Sequence, residues 1–256
     1  MIKYNLVIYL KKILFLIPLL FITTSCKSKS SNVLDYELKS DNSYRVSLSE
    51  DSKAKSITIP KTYNNKEVTE ISGFRNNNYV EKVSFSKNIT KVDEGTFSFC
   101  SKLKNITVTD NDYYSSKNGI LYQDDYILCY PSGKLDKELI IHENIKSKAF
   151  SLCPSLEKVT IHSKIVEENA FYYLENLSEV IITDNVEKVE DNFFYGNEID
   201  KIIIKNKNIT GSININYAKE IYAIEYVALS LETQKHYIKT NVEKIDDVVY
   251  EVYSLK

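Results

Sequence analysis

Three histidines and four cysteines carry the most versatile chemistry in this 256-residue chain. His142 and His162 each follow a short apolar run ending at Ile141 and Ile161. If those runs are strands of neighbouring coils, about 4.8 Å apart, the two imidazoles meet. Two imidazoles could begin a zinc site, but zinc takes at least three protein ligands and no third is recognisable. No metal is expected, and the plainer reading is two solvent-exposed strand residues. Cys100 and Cys153 stand three residues after Phe97 and Phe150. An exported protein could oxidise such a pair. Leu174, three residues after Phe171, fills the same place, which points instead to an apolar slot holding unpaired thiols. Cys129 has no obvious partner. The chain contains no H-E-x-x-H, no glycine-rich phosphate loop and no G-x-S-x-G, so no metalloprotease, nucleotide or serine-hydrolase chemistry is indicated. Its carboxylates are scattered as on a solvated surface. No catalytic role and no cofactor are expected.

The fourth cysteine, Cys26, ends a distinctive segment. Lys3, Lys11 and Lys12 precede ILFLIPLLFI, Ile13 to Ile22, and TTSC follows. A basic start, a short apolar stretch and small residues before the cut mark a secretory signal peptide over residues 1–25. The apolar run is too short for a spanning helix, which needs about 20 such residues. T-T-S-C resembles a bacterial lipobox, although Thr23 stands where an aliphatic residue is usual. That resemblance implies that Cys26 is acylated and becomes the new N-terminus, with residues 26–32 as a lipidated tether. Two or more acyl chains anchor a protein stably, at about 0.8 kcal/mol per buried methylene.

Removing residues 1–25 lowers Lys plus Arg from 33 to 30 against 35 acids, a net charge near −5. Such a chain lacks the basic footprint of nucleic-acid binding. Apolar residues at 43% and charged residues at 27% describe a foldable chain rather than a disordered one.

These groups must be positioned by a repeat. In LSEVIITDNVEKVEDNFFYGN the apolar residues Leu177, Val180, Ile182, Val186, Val189 and Phe194 follow steps of 3, 2, 4, 3 and 5. Val80, Val83, Phe85, Ile89, Val92 and Phe97 repeat those steps without change. Leu156, Val159, Ile161, Val166 and Phe171 form a slightly shorter copy, and ELIIHENIKSKAFSLC a shorter one still. LKNITV and IDKIII supply the first half of the unit again. A period of 20–29 residues headed by L-x-x-L-x-L is a leucine-rich repeat. One unit cannot bury its own apolar side, so units stack into a shared core, with Phe97, Phe150, Phe171 and Phe194 as one column.

Ala149-Phe150 and Ala170-Phe171, together with Cys100 and Cys153, carry a closer likeness. The units resemble BspA-like leucine-rich repeats of bacterial surface proteins. The resemblance implies a β-rich solenoid with an N-terminal strand cap, a hairpin insertion and a C-terminal helical cap. Boundaries follow: 33–78 for the N-terminal cap and first partial repeat, 79–216 for the solenoid with its insertion near 110–138, and 217–256 for the closing cap, with a helix from Tyr226 to Lys239. It also implies surface exposure and adhesion, with an unknown protein ligand such as a host extracellular protein, and membrane attachment through the lipid. A glycan- or cell-wall-binding module, suggested by the many tyrosines, and a purely structural envelope lipoprotein are the other readings.

Superposed copies also predict a candidate surface. Ser84, Thr107, Ile140, Thr160, Ile181 and Ile203 lie between the two inward positions of their strands, and successive strand residues face opposite sides. The apolar pair Ile181 and Ile203 forms the centre of an expected patch. Lys158, Glu179 and Lys201 flank it on one side, and His162, Thr183 and Lys205 on the other, with Thr160 beside it. An apolar centre with a polar rim is how interaction patches are built.

Overall fold

The computed structural model describes residues 33–210, 218–225, 227, 229 and 231–256. Residues 1–32, with the signal segment and Cys26, lie outside them, as do residues 211–217 and Tyr226. Each repeat forms a coil with up to three short strands, and equivalent strands of successive coils pair in parallel. The first side is the longest ladder. Strands Glu138–Ile141, Lys158–Ile161, Glu179–Ile182, Ile199–Ile204 and Ala218–Ile224 lie in this order. Their register aligns Leu139, Val159, Val180, Ile202 and Ile221 in one column and Ile141, Ile161, Ile182, Ile204 and Ala223 in another. Both columns point into the solenoid because they are two residues apart on a pleated strand. Except for half-buried Leu139, their members are buried.

On the second side, Asn144–Ile145, Ile165–Val166 and Lys188–Val189 pair in sequence. On the third, Phe150–Ser151 pairs with Phe171–Tyr172. Here a column of rings fills the core: Tyr130, Phe150, Phe171 and Phe194, with centroids 4.8–4.9 Å apart. The expected column began at Phe97. That ring instead packs on Phe74 at 5.3 Å, and Tyr130 of the hairpin insertion occupies the place next to Phe150. The turn before each ring is left-handed at Gly95, Lys148, Asn169 and Asn192. Asparagine amides satisfy turn carbonyls between coils. The Nδ2 of Asn111 donates to Ser86 O (3.0 Å) and Ile89 O (2.8 Å), and that of Asn206 to Asp184 O (3.1 Å) and Val186 O (2.7 Å). Without such donors, those carbonyls would be left unpaired inside the stack.

The hairpin insertion divides the ladder. Strands Ser56–Thr58, Lys82–Ser86 and Asn105–Thr109 form a separate three-stranded sheet. Ser115–Lys117 and Ile120–Gln123 turn through Asn118-Gly119, both left-handed, the two-residue turn that matches strand twist. Gly119 O accepts the amide of Ile106 at 2.9 Å. A Cβ on Gly119 would lie 2.9 Å from Lys104 O, so only glycine fits so close. Strand Tyr126–Cys129 then joins the second-side ladder. Two cores result. One runs from Leu34 to Cys129 and the other from Ile127 to Tyr237.

At the N-terminal end, Leu34–Leu38 and Tyr44–Leu48 form an antiparallel hairpin, which pairs through Tyr44–Leu48 with Lys66–Ser72. The C-terminal end departs from expectation. The helix spans only Leu231–His236, and Tyr237–Ile245 with Val248–Leu255 form a hairpin paired to Ala218–Ile224. Ile238, Thr240, Val242 and Ile245 suit a strand, and Asp246 and Asp247 both take the left-handed turn conformation. The solenoid is thus closed by strands carrying one short helix.

Candidate binding surface

The outward column of the first-side sheet runs Ile140, Thr160, Ile181, Ile203 and Tyr222, in register across neighbouring strands. Tyr222 is followed by Val252 of the closing hairpin. The column was expected to be open to solvent, and its C-terminal half is not. Ile203 is 7% exposed and packs with Tyr222, Tyr250 and Val252, while Ile181, Ile224 and Ile245 are partly covered by the same cluster. The closing hairpin covers this apolar stretch. Burial and the neighbouring carboxylates of Glu220 and Glu243 push the Tyr222 hydroxyl up to about 12, and Lys201 Nζ sits 3.9 Å from the Tyr222 ring centre. Ile203 is therefore core, Ile181 lies at its margin and Lys201 lies against its edge.

The remaining expected residues divide. Thr183 is buried, and its hydroxyl donates to Ile161 O at 2.8 Å. Lys158 and Glu179 form an ion pair at 2.7 Å, and that hydrogen bond holds the Lys158 ammonium above its ordinary range. Lys205 is exposed, beyond the strand end. Thr160 is half-buried. His162 stacks on His142 with ring centres 4.9 Å apart and planes 16° from parallel, and its Nδ1 lies 3.3 Å from the Thr183 hydroxyl. The two imidazoles meet as the strand spacing implies. Among the described residues no group of three His, Cys, Asp or Glu could hold a metal ion.

The open part of the column lies at its other end. Ile140 is 63% exposed, and its strand, Glu138–Ile141, is the first of the ladder, with a partner strand on one side only. Leu135 just before it is also exposed. Ion pairs Lys137–Glu157 and Lys158–Glu179, both 2.7 Å, and the stacked histidines surround this end.

Cys100, Cys129 and Cys153 are free and buried. Burial pushes the Cys100 thiol up to about 11 and raises those of Cys129 and Cys153 as well, which makes them poor nucleophiles. Cys129 lies in the same buried cluster as Cys100. In the last coil Asn197 takes the equivalent slot and accepts the amide of Leu174 while donating to Phe171 O. A second surface escaped the repeat pattern. Phe99, Tyr172, Tyr173 and Tyr195 follow the core rings by one or two residues and gather outside the solenoid.

The sequence model for the BspA type leucine rich repeat region matches residues 24–123 and 143–256, in six copies. The chain belongs to the BspA-type leucine-rich-repeat family. Solved structures are similar to this chain at low identity. A leucine rich cell surface protein from Faecalibacterium prausnitzii A2-165 is 13% identical over 71% of this chain and 89% of that one, with a TM-score of 0.38. A leucine-rich repeat protein from Eubacterium ventriosum ATCC 27560 is 12% identical over 86% and 98%, with a TM-score of 0.42. The leucine-rich repeat protein of T. pallidum is 14% identical over 80% and 92%, with a TM-score of 0.35. No curated protein matches this chain in sequence.

Proposed function

We propose that this BspA-type chain is an exported, lipid-tethered, non-catalytic protein that attaches to an extracellular protein through the open end of its first-side sheet. The observation that carries this reading is Ile140, apolar and 63% exposed on the first strand of the ladder, at the end of the outward column that the closing hairpin does not cover. Ile140 and Leu135 supply an apolar centre. Thr160, His162, Lys158 and Glu179 supply a polar rim, the composition of an interaction patch. A one-sided strand adds unpaired backbone groups that a partner segment can meet. The family is a repeat scaffold and indicates no catalytic family. The targeting segment and T-T-S-C support export and acylation at Cys26.

Two measurements test the reading. Mass spectrometry of the chain from membranes should find a diacylglycerol-modified Cys26 as the N-terminus; an unmodified N-terminus elsewhere contradicts the tether. The purified full chain in detergent, immobilised and exposed to a panel of purified extracellular-matrix and plasma proteins, should bind at least one saturably. Absence of saturable binding across the panel counts against protein attachment.

A further inference from the structure

The coils leave their ring column through a residue in the left-handed region: Phe99 (φ 60°), Leu152 (φ 51°), Tyr173 (φ 55°) and Gly196 (φ 75°). Glycine enters that region freely, whereas a residue with a Cβ is strained there. Gly196 shows that this place in the coil accepts glycine. At three coils the chain instead holds a large side chain in it, two of them aromatic. Those rings are arranged in a definite way. Tyr172 and Tyr195 stack at 5.5 Å with planes 18° apart. Tyr173 stands almost at right angles to both, at 4.7 Å and 88° and at 5.8 Å and 76°. Phe99 closes the group, 5.6 Å from Tyr172 and 6.2 Å from Tyr173, and the Arg75 guanidinium lies 5.9 Å from its centre. A Cβ on Gly196 would come 2.8 Å from the Tyr173 ring, so the glycine of the last coil makes room for it. Tyr173 is 41% exposed and Tyr195 38%.

We propose that this aromatic corner is a carbohydrate-binding platform, separate from the open sheet end, that stacks the C–H face of a pyranose ring against its tyrosines. The face of a π-system is negative and attracts weakly positive C–H groups. The exposed Arg75 guanidinium, 5.9 Å from the Phe99 ring centre, offers donors beside the rings for sugar hydroxyls. The rings hold one another, so little side-chain freedom is lost on binding. Size favours a sugar over a protein. An aromatic side chain presents about 150–250 Å², so the two most exposed rings, 41% and 38% exposed, offer roughly 120–200 Å², against about 800 Å² per partner for a stable protein interface.

The test uses Tyr173→Gly, because glycine suits the left-handed backbone and leaves the amide bond from residue 173 to Tyr195 O (3.0 Å) in place. Wild-type full chain and variant, in detergent, are run through native gels containing xyloglucan, hydroxyethylcellulose, mannan, glycol chitin or polygalacturonate. At least one polysaccharide should retard the wild type, and Tyr173→Gly should weaken that retardation about tenfold, the share of one stacked ring. Its thermal midpoint should stay within a few degrees of wild type, because relief of the left-handed backbone offsets much of the lost ring contact, and its attachment to an extracellular protein through the open sheet should be unaffected. Four results overturn the proposal: no retardation of wild type by any of the five, full retardation of Tyr173→Gly, a midpoint several degrees lower, or a change in elution volume, which would make the corner a packing element or a contact between copies.

Discussion

Glu70 gathers three cations: Arg45 Nε at 2.8 Å, Lys91 Nζ at 3.4 Å and Lys39 Nζ at 3.7 Å. Burial alone would push its carboxyl up, but the bond from Arg45 and the charges of Lys39 and Lys91 outweigh it and hold the group below its ordinary value. A depressed carboxyl contributes stability that is present above the unfolded value of about 4.3 and is lost as pH falls through the folded value. Glu70→Gln should therefore lower stability by about 1.5–3 kcal/mol at pH 7 and narrow the gap from wild type as the pH drops below about 4. Urea titrations at both pH values read this directly, and an equal loss at each would show that the charge is immaterial. The same scale explains why the register of Ile203 does not reveal its burial. Its place between two inward residues does set it on the outer face, but no pattern within one coil says that a later hairpin will cover that face. Ile203→Lys should unfold the C-terminal half, because it buries an unpaired ammonium, whereas Ile140→Lys should leave the thermal midpoint within about a degree or two, as surface changes usually do. The thiols offer a further check. Alkylation with iodoacetamide should modify Cys100, Cys129 and Cys153 only after denaturation, and rapid labelling of native protein would contradict their burial.

At the scale of elements, the steps between apolar residues made the inward columns legible, because a strand alternates and a stacked coil repeats. Val159 and Ile161, Val180 and Ile182, and Ile202 and Ile204 all face the core as the spacing predicts. Phe171 lies between Phe150 and Phe194 in the ring column, and Phe171→Ala should cost about 3–5 kcal/mol, measured by denaturant unfolding. A loss under 1 kcal/mol would mean the column is not core. The closing hairpin was harder to read. Its sequence follows the short helix without a glycine or proline to mark a break, and the exposed edge of Ala218–Ile224 selects strand over helix by pairing. Asp246-Asp247 was the available signal, since both residues enter the left-handed region that a tight hairpin turn requires. Asp247→Gly should stabilise the chain by up to about 1 kcal/mol, visible as slower amide exchange in Val248–Leu255.

Across the whole molecule the hairpin insertion matters most. It interrupts the first-side ladder between Asn105–Thr109 and Glu138–Ile141, divides the core in two and gives the second block an edge strand at Ile140. The closing hairpin covers the opposite end of the same sheet. The repeat, its period and its inward residues could be read from the chain because they depend on contacts between neighbours of similar sequence. Which part of the outer face stays open could not, because that depends on how two non-repeating hairpins pack. The direct measurement is surface plasmon resonance of the immobilised full chain with an extracellular protein that binds it, comparing wild type with an Ile140→Lys, Thr160→Lys double variant of unchanged thermal midpoint. The expected result is at least about a tenfold loss of affinity, as when charges replace the centre of an interface. Unchanged affinity in that variant would contradict the assignment of binding to the open end of the sheet.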